Sequence, residues 1–305
     1  MSLLLQSIYL SAGLSLLYIF VLYRSHPHRR LPAVPTVIAF AVGMAAVVVV
    51  AAAERAFPIP PIESSTAALL AAAAIEEGAK LLLAGVTVLR FRFPNIAEPL
   101  DVAILLGVIG VGFGVYEDFA YIFGASYPSW LAGDVARFNE VFRGITLARA
   151  FPGHILFNGI AGFLLGRAVF ATDWRRKAAW ILGGLALATA LHVGFNELAL
   201  LKAPILLIAY LVFLVGVFIA LRRGAVRRSP FSTLIRRLEA DPPDEGSWPF
   251  ERPALDYLLA EGFPWPGRPR GGLFQFYPVI LSLCVLFPLL LISFYVATRL
   301  VTLGA

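Results

Sequence analysis

The chain has 305 residues, 59% hydrophobic and only 14% charged, against roughly 45–50% and about 25% in soluble domains. Runs near the ~20 apolar residues that a bilayer span needs recur along it, which excludes a soluble globular domain and a disordered chain alike. The single cysteine, Cys284, leaves neither a disulfide framework nor a Cys-rich metal site.

Eight membrane spans are predicted in chain order, and the fold class is an all-α polytopic membrane protein. They run from Leu3 to Tyr23, Ala33 to Ala53, Ser65 to Leu89, Leu100 to Phe123, Gly144 to Phe170, Ala178 to Leu201, Pro204 to Leu221 and Phe274 to Thr298. The alternating strands of an outer-membrane barrel are absent. The first span has no charged leader and no Ala-x-Ala exit, so it reads as a retained helix. The chain then divides into two N-terminal helices (1–64), a four-helix catalytic core (65–201) and a seventh helix (202–221). A cytoplasmic linker (222–272) and a C-terminal helix (273–305) follow.

Basic residues set the orientation. Eighteen of the 25 lysines and arginines fall in loops after odd-numbered spans, from Arg24 to the nine arginines between Arg222 and Arg270. The positive-inside rule places those loops in the cytoplasm and both termini outside. The net charge of +6 is therefore a topology signal and a contact with anionic lipid, and nucleic acid is excluded as a partner.

The third span carries Ile75-Glu76-Glu77-Gly78-Ala79-Lys80 where hydrocarbon is expected. Each charge at a helix centre costs about 2.5–3.5 kcal/mol on insertion scales. Lys80 lies four residues after Glu76 and three after Glu77, within helical reach of both. The fourth span adds Glu117 in Gly112-Phe113-Gly114-Val115-Tyr116-Glu117-Asp118, with glycines that admit a neighbouring helix. The fifth adds His154 and Asn158, and the sixth His192 and Asn196, each pair on one helix face. A lone histidine in an apolar helix is more often a packing residue, but two such pairs beside three glutamates are not scattered polarity.

Span boundaries and a 1.5 Å rise place Glu76, Glu117, His154 and His192 roughly 10–17 Å below the outer surface. His154 is expected about ten residues inside its span, and the active-site bundle is expected from spans three to six. Such groups move protons, hold a water or bind zinc. No serine or cysteine in this layer has a paired base, so hydrolysis by an activated water is the expected reaction. Histidine or asparagine would stabilise the oxyanion. A glutamate-activated water and a zinc-bound one both fit this residue set.

The ordered motifs Glu-Glu-x-x-Lys, Gly-Phe-x-x-x-Glu, Pro-Gly-His and Leu-His-x-x-x-Asn, spread from Ser65 to Leu201, resemble the PrsW family of intramembrane proteases. That family is a branch of the group containing the CAAX prenyl endopeptidases and bacteriocin-processing proteins. The resemblance implies a bacterial plasma-membrane protease making the extracytoplasmic cut in a membrane-anchored substrate such as an anti-sigma factor. It further implies that Glu76 activates water, that Glu77 supports it through Lys80, and that Glu117 and His154 occupy second- and third-motif positions. His192 and Asn196 match the last motif and would suit oxyanion stabilisation. Asp118 stands where the family usually has asparagine, which adds a charge near the site. Asp101 resembles a family position and reads equally as a helix N-terminal acid.

Two other classes use similar residues. An ion-coupled transporter concentrates Glu, His and Lys in the bilayer, but with an inverted repeat that inspection does not find here. A non-catalytic scaffold of the same fold would not need a competent residue at every motif position.

Overall fold

The computed structural model describes residues 3–26, 33–58, 60–61, 65–89, 96, 98–149, 153–201 and 204–229. No strand occurs among them, and the helices are α1 (Leu3–Tyr23), α2 (Ala33–Ala56), α3 (Thr66–Val86), α4 (Pro99–Leu131), α5 (Val135–Arg149), α6 (Gly153–Phe170), α7 (Trp174–Leu200) and α8 (Pro204–Arg228). Five of these, α2, α4, α6, α7 and α8, are long and apolar enough to cross a membrane. The three charges of α3 hold it below that apolarity. The expected span from Phe274 to Thr298 and most of the linker lie outside the described residues. The last described helix nevertheless runs on to Arg228, so the first arginines assigned to the linker continue α8.

The bundle is organised around α4, which is buried on nearly all sides and packs against α1, α2, α5 and α6. It can be buried so completely because glycine lets its neighbours' backbones reach it. A Cβ at Gly112 would overlap the carbonyl of Phe40 on α2, and one at Gly110 would overlap the carbonyl of His154 on α6. The second contact brings a predicted site residue against α4. A second layer is formed by α3 on α2 and α7, and by α6 on α7. The Thr66 hydroxyl donates to Glu197 Oε1 at 2.8 Å and ties α3 to α7 near their ends.

Both ends of these helices follow local rules. Ser65 caps α3 by accepting from the Ala68 amide, and Asp173 caps α7 by accepting from Arg175 and Arg176. Glu98 and Asp101 form a reciprocal capping box at the start of α4, with the Glu98 amide donating to Asp101 Oδ2 at 2.9 Å. Asp101 thus serves as a helix N-terminal acid. His26, just past α1, meets Glu98 Oε1 at 2.6 Å, so a buried polar contact fixes α1 to the base of α4.

One expected element is corrected. The fifth span was expected as a single helix from Gly144 to Phe170, but two helices, α5 and α6, cover this stretch and the spanning one starts at Gly153. The reason is in the sequence. Pro152 disfavours an unbroken helix, and α5 carries Arg137, Glu140, Arg143 and Arg149 in fifteen residues, too polar for hydrocarbon. His154 is consequently the second residue of its helix rather than about ten residues inside it.

Candidate active site

Glu77 is the centre of the polar cluster. Its side chain points from α3 into the bundle, and it is 2% exposed. Oε1 accepts from Lys80 Nζ at 2.6 Å, one helical turn on, and from His192 Nδ1 at 3.0 Å; Oε2 accepts from Asn158 Nδ2 at 3.1 Å. Three helices, α3, α6 and α7, are joined through this one carboxylate. Lys80 is fully buried; its ammonium lies 4.1 Å from the centroid of the Phe113 ring on α4 and 3.1 Å from His154 Nδ1. A lysine at that depth needs such partners, since an unpaired buried charge is strongly destabilising.

The histidine tautomers follow from these partners. An ammonium only donates, so His154 Nδ1 accepts from Lys80 and its Nε2–H donates to Glu117 Oε2 at 2.7 Å. His192 donates through Nδ1 to Glu77, which leaves its Nε2 as the unprotonated nitrogen. The two imidazoles stand edge to face with centroids 4.9 Å apart, held by Phe113 and Phe157. These aromatic contacts fix the ring orientations.

Glu76 differs from its neighbour. Its Oε2 is buried and accepts no hydrogen bond among the described residues, although His192 Nδ1 lies 3.8 Å away. It borders a cavity of about 100 Å³ shared with Glu117, Asp118, His154, His192 and Asn196. A water needs about 10–15 Å³ of such space, so there is room for several, or for a peptide group and one water. Both oxygens of Glu77 are bonded within the bundle, which makes it a structural carboxylate, whereas Glu76 faces the space where a reaction can occur.

Every residue predicted for the site is therefore brought to one place. Glu76, Glu117, His154, His192 and Asn196 line the cavity, while Glu77 and Lys80 lie behind it and hold the histidines. Two residues were missed. Asn158 was noted on the face of His154 but not assigned a role, and it bonds Glu77 directly. Tyr18 of α1 also lines the cavity. Nothing in the spacing of α1 marks it, because its place depends on how α1 packs on α4.

Apolar helices closing around a cavity lined with carboxylates and imidazoles are the architecture of a membrane-embedded enzyme. Residues 31–221 match the family model described as PrsW family intramembrane metalloprotease, and the chain belongs to that family. It is accordingly an intramembrane protease, a multi-pass protein whose substrates are membrane proteins. No curated protein and no solved structure matches it.

The family description implies a metal, and the residues fit one. Glu76, His154 and His192 each offer a ligand atom, all within 4.8 Å of one another. Two imidazoles and a carboxylate are a common set for catalytic zinc. The orphaned Glu76 oxygen and the unprotonated Nε2 of His192 are open to a metal, whereas His154 reaches it only by giving up its bond to Lys80 or to Glu117. His192 has a carboxylate on its other nitrogen, the usual support for a metal-binding imidazole.

Proposed function

We propose that this protein hydrolyses a peptide bond of a single-pass membrane protein within the bilayer, near its extracytoplasmic side, and that the substrate class includes anti-sigma factors. The observation that carries this reading is the contrast between adjacent glutamates: Glu77 bonded through both oxygens to Lys80, His192 and Asn158, and Glu76 with a buried, unpaired oxygen on the cavity. An unpaired carboxylate beside a space with room for water and a peptide group is what proton abstraction from water requires.

In this scheme Glu76 takes the proton as the water attacks the scissile carbonyl. The Asn196 amide donates to the developing oxyanion, joined by His192 once its Nε2 carries a proton, and the protonated carboxylate returns its proton to the leaving amine. Glu117 orients His154 through Nε2 and is a second carboxylate able to hold the proton. Glu76, His154 and His192 would hold zinc, which when bound supplies Lewis acidity and a more acidic water. With Glu76 committed as a ligand, Glu117 is the carboxylate left for the proton. The basic-loop asymmetry supports an orientation with both termini outside, in what the family resemblance suggests is a bacterial plasma membrane.

The test is metal analysis of detergent-purified protein, together with cleavage of a single-pass reporter. The proposal expects close to one zinc per chain, lost in the His154→Ala/His192→Ala double variant along with cleavage. Cleavage that survives in that double variant would overturn the assignment of the site.

A further inference from the structure

Beyond the reacting groups, the cavity has a lip that none of the chemistry above uses. On α4, Asp118 directly follows Glu117 and Tyr121 lies one turn further toward Leu131; both line the cavity, as does Tyr18 of α1. Tyr121 is 48% exposed, and Tyr18 and Asp118 are half-buried. Tyr18 and Asp118 line the same cavity from two helices, α1 and α4. Tyr18 precedes the residues that match the family, which begin at 31.

We propose that Tyr18, Asp118 and Tyr121 form a specificity subsite for a cationic side chain, lysine or arginine, of the substrate peptide beside the scissile bond. This rests on the protease reading above. Three features point to a cation. The lip adds a carboxylate to a cavity that already holds Glu76 and Glu117, so its edge favours positive charge. It flanks that carboxylate with two phenol rings, whose faces attract an ammonium or guanidinium. The cluster's own lysine, Lys80, lies behind the histidines and bonds Glu77 and His154, so it does not fill the lip. A carboxylate has about four acceptor positions, so Asp118 can take a substrate cation in addition to the contacts it makes within the chain.

The physical gain is largest for a membrane substrate. A basic residue close to the cut must leave the interface to reach the cavity, at a cost that a nearby anion offsets. An acidic residue there would meet three carboxylates and be rejected. Asparagine in place of Asp118 would remove the charge while keeping the shape.

The experiment uses the full-length Glu76→Gln protein in proteoliposomes, so that peptides are bound and not consumed. Synthetic transmembrane peptides carrying lysine, alanine or glutamate at successive positions on one flank are titrated by energy transfer. The expected result is a position at which lysine binds about tenfold more tightly than alanine, the size of a desolvated cation–aromatic and charge contact. Asp118→Asn should bring that ratio close to one, Asp118→Lys should invert it in favour of glutamate, and Tyr18→Phe should keep most of it. A structural role for these side chains would instead weaken all peptides alike. Equal affinities for the three peptides at every position, or a lysine preference unchanged by Asp118→Asn, would overturn the proposal. Lysine-selective binding with no cleavage of the same peptides by the wild-type protein would leave the subsite standing and refute the protease reading.

Discussion

Replacing Lys80 by methionine tests how the cluster is held together. Lys80 Nζ and Glu77 Oε1 are 2.6 Å apart with neither group reached by solvent. At an effective dielectric of about 20 their attraction is about 6 kcal/mol, most of it offset by desolvation. Methionine keeps the length and apolar stem but leaves Glu77 charged, with only His192 and Asn158 as donors. Stranding a buried charge in this way costs about 3–5 kcal/mol. Glu77→Gln alone strands the ammonium at a similar cost, whereas the double variant strands neither. The two changes should therefore be strongly non-additive, with a coupling of about 2–3 kcal/mol. The assay is reversible unfolding in mixed micelles followed by tryptophan fluorescence, with all four proteins at one lipid composition. A Lys80→Met loss below about 0.5 kcal/mol, or a double variant equal to the sum of the singles, would refute this account of the cluster.

Other perturbations separate catalysis from scaffolding. Gly110→Ala places a methyl against the His154 carbonyl, so α6 must shift; a stability loss of about 1–3 kcal/mol is expected with a larger fall in turnover. Normal turnover in that variant would show that the α4–α6 approach does not position His154. Glu117→Gln keeps a hydrogen-bonding group on His154 but ends proton exchange, and cleavage should fall by about 10²–10⁴-fold with little change in unfolding. Asp173→Ala removes the cap of α7 far from the cavity; it should cost about 1 kcal/mol of stability and leave the rate constant for bound substrate unchanged.

Much of this site is legible in the sequence because membrane helices make polar residues conspicuous. Glu76, Glu77 and Lys80 stand out in an apolar run, and the i, i+4 spacing of His154 with Asn158 and of His192 with Asn196 fixes their shared faces. What spacing alone does not give is division of labour. Glu76 and Glu77 are adjacent and chemically identical, and only packing against α6 and α7 makes one a structural carboxylate and the other an open one. Helix ends were read less well. Hydropathy carried the fifth span back to Gly144, through residues that belong to the polar helix α5, and so placed His154 too deep in its helix. Tyr18 was invisible because a tyrosine in an apolar helix has many uses, and its role depends on contacts with a helix a hundred residues away.

The most direct measurement is cleavage of a single-pass reporter by purified protein in proteoliposomes made with heavy-oxygen water, comparing wild type with Glu76→Gln and reading the new termini by mass spectrometry. The account predicts one cut within the reporter's membrane segment, heavy oxygen in the new carboxyl terminus, and no cut by a Glu76→Gln protein that unfolds like the wild type. The same cut, at a comparable rate, by Glu76→Gln would contradict it.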